Sequence, residues 1–132
     1  MNRRNFVMSA AAASPLSRMA AAGGTALEAK IIRLNLRHTW TTTMSSSEYR
    51  DTLHVSYTRD GITGHGEGAP IVRYHEDAEG ARQAVESVRG LLLAANPMQF
   101  SKVMAAVFGG VEGAWAGKAA IDIALMNLLS PR

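Results

Sequence analysis

The sequence predicts an α+β fold, a three-stranded antiparallel meander followed by a helical layer. Three observations carry that expectation. Apolar residues alternate with polar ones in the first half of the chain, as in half-buried strands. An Asp60-Gly61 pair separates two such runs, the signature of a tight hairpin. After Pro70 the apolar spacing lengthens to that of helices, so strands and helices segregate along the chain.

The first strand is expected from Lys30, where Ile32, Leu34 and Leu36 alternate with Arg33, Asn35 and Arg37. The stretch Thr41 to Ser47 is polar and lacks periodicity, which predicts an exposed loop. Leu53, Val55 and Tyr57 alternate with His54, Ser56 and Thr58 in a second strand, and Ile62 to Glu67 forms the third. Ala78, Ala81, Val85, Val88 and Leu92 then fall on one helical face, with Glu76, Asp77 and Glu79 at its positive end. Gly80 and Gly90 weaken this helix, and Asn96-Pro97 ends it. A short helix is predicted over 98–107, broken by Gly109-Gly110. Met98, Phe100 and Met104 are assigned to the core. The last helix runs from Ala114 to Leu129, with Ala114, Lys118, Ile121, Leu125 and Leu128 in one stripe that Ala120, Ile123 and Ala124 broaden.

Composition narrows the function. The chain has 132 residues, room for one modest domain but not for a complete (β/α)₈ barrel of about 250 residues. It has no cysteine, which excludes a disulfide framework and a thiolate metal site. The net charge of +3 arises within residues 1–26, which hold Arg3, Arg4 and Arg18 and no acid. Without them eleven basic residues face eleven acidic ones, so charge offers no reason to expect a nucleic-acid or membrane-surface partner. Residues 1–26 have the layout of an export signal: the Arg3-Arg4 pair, a weakly apolar stretch from Phe6 to Leu16, and small residues around Ala20 to Ala22. The pattern resembles a twin-arginine signal and predicts a periplasmic protein, free of the membrane after export. Residues 27–132 are then the folded domain.

Individual residues admit modest readings. Gly64-x-Gly66-x-Gly68 lacks the spacing of a phosphate loop and predicts close backbone approach to a neighbouring domain. His65 and Glu67 share a strand face, but two ligands are too few for a metal. His75-Glu76-Asp77 reads as a helix start, and Asp122 as a buried hydrogen-bonding group. Trp40 either lines a mouth or packs on the sheet.

Together, the hairpin from Asp60 to Pro70, the run Arg73-Tyr74-His75-Glu76, the closing helix Lys118 to Leu129 and the run Arg37 to Thr41 resemble a known family. They are similar to the amino-terminal capping domain of the enolase superfamily, in its mandelate-racemase and muconate-lactonising branch, and most similar to dipeptide epimerases of the L-Ala-D/L-Glu type. The resemblance covers about Lys30 to Leu129. It implies an isomerase that abstracts a proton beside a carboxylate, stabilises the enediolate on Mg²⁺, and uses two opposing lysines as bases. In the family those groups sit in a barrel that follows the cap. Here the lysines are Lys30, Lys102 and Lys118, with no Lys-x-Lys motif. The closing helix departs from the family at Asn127, where Asp is usual, and at Ser130-Pro131-Arg132, where a Gly-Lys turn is usual. The expectation is therefore a chain truncated before its C-terminal barrel, inactive alone, with no catalytic and no metal-ligating residue of its own.

By the same resemblance, two cap loops read the distal part of the substrate: Trp40 to Arg50, and Gly68 to Tyr74. Trp40, Thr42, Met44, Ser45, Arg50 and Arg73 are the substrate-binding candidates. Relatives selecting an acidic side chain place a cation in the first loop; Thr43-Met44-Ser45-Ser46 stands there, which speaks against L-Ala-L-Glu and leaves a more hydrophobic or a different dipeptide open. Two other readings remain at this point. One is a self-contained periplasmic binding module, which would expose no large apolar patch. The other is the cap of a different superfamily enzyme, a cycloisomerase or a sugar-acid dehydratase.

Overall fold

The computed structural model describes residues 24–130. Strands β1 (Thr25–Thr41), β2 (Ser46–Arg59) and β3 (Ile62–Gly68) form one antiparallel sheet in the order β1-β2-β3, the predicted meander. Four helices follow: α1 (Ala78–Ser87), α2 (Arg89–Ala94), α3 (Phe100–Gly110) and α4 (Trp115–Leu129). The turn between β2 and β3 has Asp60 and Gly61 both at positive φ, 52° and 78°, as a type I′ hairpin requires. The export signal is assigned to residues 1–26, of which 1–23 lie outside the described residues. Thr25 and Ala26, included in that segment, are the first residues of β1.

The core lies between the sheet and the helices. Leu53, Val55 and Tyr57 of β2 are buried, paired with Ile31, Ala29 and Leu27 of β1. β1 alternates as predicted but in the opposite phase: its core contribution is Leu27 with half-buried Ala29, while Ile32, Leu34 and Leu36 face away. The five residues assigned to the first helical face are all buried. That helix is nonetheless two, because Val88 leaves helical geometry (φ −107°, ψ 12°) between α1 and α2. The two C-terminal carbonyls of this pair are met from β2: Tyr57 Oη donates to Leu92 O at 2.8 Å, and Arg59 Nη1 donates to Ala95 O at 2.7 Å.

Gly64, Gly66 and Gly68 make a close approach within this domain rather than to a neighbouring one. A Cβ at these positions would lie 2.1, 2.0 and 1.9 Å from the carbonyl oxygens of Ala124, Ala120 and Ala116 in α4. Two strand residues advance roughly 6.7 Å and four helical residues roughly 6.0 Å, so a glycine every second position matches an alanine every fourth. α4 therefore lies antiparallel along β3, backbone against backbone. At its start Ala114 and Gly113 have positive φ, and the missing cap is supplied from afar: Glu76 Oε1 accepts a hydrogen bond from Ala116 N at 3.3 Å.

Other expectations are corrected. α3 runs through Gly109 and Gly110 rather than breaking there, because neither glycine has positive φ and Val111 N–H still reaches Val107 O. Met98 sits on a 3₁₀ turn (Pro97–Gln99) and is exposed, whereas Met104 is buried and Phe100 half-buried. Ile123 is exposed, and Asp122 is half-buried with no hydrogen-bond partner among the described residues. Lys118 is only 5% exposed, its Nζ lying 4.4 Å from the Trp115 ring centre and 4.8 Å from that of Phe108, a double cation–π contact.

Candidate functional site

β3 ends at Gly68, opposite Leu53, so the β1–β2 ribbon projects beyond the sheet. The ribbon is longer than expected. The predicted loop over 41–47 is strand at both ends, with Trp40 pairing Ser47 and Thr41 pairing Ser46. Only residues 42–45 turn. Between Asn35↔Tyr49 and Trp40↔Ser47, four residues of β1 oppose one of β2, a bulge that re-aims the ribbon's tip.

The segment after Gly68 runs beside this overhang, and a cavity of about 610 Å³ lies between them. Leu34, Leu36 and Trp40 form its wall from β1, residues 42–45 its tip, and Arg50, Asp51 and Thr52 its wall from β2. Ala69, Pro70, Ile71, Val72 and Arg73 close the other side. The two segments assigned to the cap thus share one chamber, and all six candidate residues line it. Trp40 lines this cavity and is 57% exposed.

The six do not offer the same chemistry. Thr42 Oγ1 accepts from Met44 N at 3.2 Å and from Ser45 N at 3.1 Å, and donates to Ser45 O at 3.2 Å. Its hydroxyl, with Ser45 Oγ 3.4 Å away, builds the turn rather than standing free for a ligand. Trp40 and Met44 present apolar surface. Arg50 and Arg73 have no hydrogen-bond or ion-pair partner among the described residues.

Asp51 is committed. Arg33, its cross-strand partner, donates Nε–H and Nη2–H to its two carboxylate oxygens, each at 2.8 Å, and stacks 3.8 Å above the centre of the Tyr49 ring. That hydrogen-bonded pair holds the Asp51 carboxyl below the usual carboxylate range and raises the Arg33 guanidinium further above its own. The clamp sits just before the bulge. Leu34, Leu36, Ile71, Val72 and this ion pair were not among the candidates. The alternation at Ile32, Leu34 and Leu36 was the available signal, since a second apolar phase on a strand must cover something.

On the same outer face, His65 Nδ1 lies 3.0 Å from Ser56 Oγ, and His54 Nε2 lies 3.1 Å from Thr52 Oγ1 and 3.9 Å from Glu67. Among the described residues no group of three or more His, Asp or Glu is placed to hold a metal ion. No described helix is long and apolar enough to cross a membrane.

Comparison with known proteins agrees with this geometry. Residues 26–132 match the family described as the mandelate racemase/muconate lactonizing enzyme N-terminal domain. An L-Ala-D/L-amino acid epimerase of Pedosphaera parvula is 34% identical over 98 residues, which are 71% of this chain and 28% of that protein. The chain thus spans about 28% of the length of this curated relative. The structure of a dipeptide epimerase from Enterococcus faecalis, complexed with Mg and L-Leu-L-Tyr, superposes with a TM-score of 0.69 at 28% identity. It is matched over 78% of this chain and 29% of its own. An N-succinyl Arg/Lys racemase from Bacillus cereus gives a TM-score of 0.75 at 26% identity, over 82% of this chain and 30% of its own. A meander backed by helices, a cavity between the ribbon tip and the post-β3 segment, and these matches lead to one assignment: the chain belongs to the mandelate racemase/muconate lactonizing enzyme N-terminal domain family of the enolase superfamily, near the dipeptide epimerases.

Proposed function

We propose that this chain supplies the capping part of an enzyme that epimerises dipeptides, its cavity receiving the substrate's side chain. The observation that carries this reading is that the ribbon tip and the post-β3 segment enclose one chamber lined by all six candidate residues. The names of the relatives support the dipeptide class.

Epimerisation requires removal of a proton beside a carboxylate, which is slow until the developing oxyanion meets fixed positive charge. In the family a Mg²⁺ ion provides that charge. The described residues do not fit such an ion, since they group no three ligands, and none of Lys30, Lys102 and Lys118 lines the cavity. The reaction's bases and metal ligands are therefore assigned to the barrel that accompanies the cap in the family. This chain's part is to bind, orient and exclude water: Trp40, Met44, Ile71 and Val72 give the chamber apolar walls, which strengthen any polar contact made inside it.

The test is exchange of the substrate α-proton in D₂O with Mg²⁺ and a panel of dipeptides. The chain alone is expected to catalyse none. Residues 24–130 grafted onto the barrel of a dipeptide epimerase are expected to restore exchange, with a side-chain preference that follows the graft. Exchange by the chain alone sinks the capping role, and a graft that turns over only other acids sinks the dipeptide assignment. Racemisation of N-acylated amino acids is a second reading, favoured by the match to the N-succinyl Arg/Lys racemase. We also infer from Arg3-Arg4 that the protein is exported to the periplasm.

A further inference from the structure

The sheet has two edges, and only one of them is closed. Arg59 and Ile62 flank the two-residue turn and therefore exchange both backbone hydrogen bonds. That pair fixes the direction of every backbone group in the sheet, because the direction reverses at each residue of an antiparallel strand. Odd-numbered residues of β3 turn their N–H and C=O away from β2, and odd-numbered residues of β1 do the same as far as the bulge. At β3 this edge is covered by α4, where Asn127 Oδ1 accepts a hydrogen bond from His65 N at 2.9 Å. At β1, Arg89 Nη1 donates to Leu27 O at 2.6 Å. Past that point the outward groups of Ala29, Ile31, Arg33 and Asn35 meet no partner among the described residues. The strand holds no Pro, and its bulge comes only after Asn35, so over this stretch the edge lacks two of the usual guards against pairing. We propose that β1 of a second copy adds to this edge, antiparallel about a two-fold axis at Ala29, joining the two sheets into one.

The occupant follows from charge. Glu28 and Lys30 stand exposed on the face of β1 turned away from the helices, and neither has an ion-pair partner among the described residues. An axis at Ala29 sets Glu28 of each copy opposite Lys30 of the other, twice by symmetry, at positions where no hydrogen bonds run and side chains come closest. An axis at Glu28, Lys30 or Arg33 would set that charge against itself. An axis at Ile31 or Ile32 would set Glu28 and Lys30 against Ile32, Leu34 or Leu36. With the axis at Ala29, Leu27 faces Ile31 of the other copy, and the Leu27 carbonyl accepts the Ile31 N–H on the lone pair that Arg89 leaves open. Leu34, Leu36 and the ribbon tip stay clear of the pairing, so the cavity remains open.

The experiment is sedimentation equilibrium of the 132-residue chain at low salt over a wide range of concentration. A reversible dimer is expected. Lys30→Glu places acid opposite acid twice and should weaken dimerisation about tenfold. Glu28→Lys/Lys30→Glu exchanges the two charges and should restore the affinity to within about twofold of the original. In a mixture of labelled and unlabelled chains, the Hα atoms of Glu28 and Lys30 should show an intermolecular NOE. Both side chains are exposed, so far-UV circular dichroism is expected to be the same in every variant. A chain that stays monomeric at all concentrations overturns the proposal. So does a dimer indifferent to Lys30→Glu, which would rest on another surface, or a double variant no tighter than the single one.

Discussion

At Gly66 the absent side chain is the structural fact: a Cβ there would stand 2.0 Å from the Ala120 carbonyl oxygen, and neither backbone can yield without lifting α4 off β3. Gly66→Ala is expected to cost about 3 kcal/mol or more, at or beyond the upper end of ordinary overpacking, read as a fall in the urea midpoint. Gly90 is the control. Nothing lies within 4 Å of a Cβ there and its φ is not positive, so Gly90→Ala in α2 should stabilise by about 0.5–1 kcal/mol in the same measurement. Tyr57 shows the opposite case, a buried hydroxyl that meets the Leu92 carbonyl, which otherwise accepts only a long 3.4 Å bond from Ala95 N–H among the described residues. Tyr57→Phe leaves Leu92 O without that donor and should cost about 1 kcal/mol, seen as a lower thermal midpoint. Burial also pushes the Tyr57 phenol above its ordinary value, against the smaller opposing effect of Arg59.

The helices hold charges arranged by spacing alone. Arg82 reaches back three residues to Glu79, and Arg89 reaches back three to Glu86 while also donating to Leu27 O at 2.6 Å. The Arg82 hydrogen bond, with help from Gln83, lowers the Glu79 carboxyl from 4.5 to about 2, and Arg89 lowers that of Glu86. A depressed folded-state pKa means stability that is complete above the unfolded value. Stability should therefore be flat from neutral pH to about 5 and decline as pH falls from 4.5 towards 2. Glu79→Gln should flatten that decline in thermal melts recorded across the range; an unchanged acid limb would assign the effect elsewhere. Side chains of both pairs are a third to a half exposed, so the decline is shallow and salt weakens it. At the level of β1, the bulge and the Arg33–Asp51 clamp together aim the ribbon tip. Asp51→Asn is expected to loosen residues 40–45, read as faster amide exchange there with β3 and α4 unaffected.

For the whole molecule, exposed large apolar side chains include Leu34, Trp40, Met44 and Val72, which line the cavity, and Phe108, Trp115, Ile123 and Met126 on the helices. The chain is expected to bind a hydrophobic dye in its folded state, and absence of such binding would argue for a self-sufficient module. Element type and order, the type I′ turn and the buried faces of β2 and α1 were legible in the sequence, because each depends on periodicity or on one residue's φ preference. The two segments of the cap were legible through a family resemblance rather than through any pattern of their own. What periodicity leaves open is which of two apolar phases on a strand faces the core. In β1 that choice went to Leu27 and Ala29, because they stand opposite Tyr57 and Val55, and it turned Leu34 and Leu36 into cavity wall. The same limit applies to Gly64, Gly66 and Gly68, whose spacing announces close approach but not to what. By itself, then, the sequence determined that strands precede helices and which residues can make them, since those are local properties of the chain. Tertiary structure alone decided that Asp51 is paired with Arg33 while Arg50 and Arg73 have no partner among the described residues, because charge pairing depends on distances across strands that no spacing along the chain encodes.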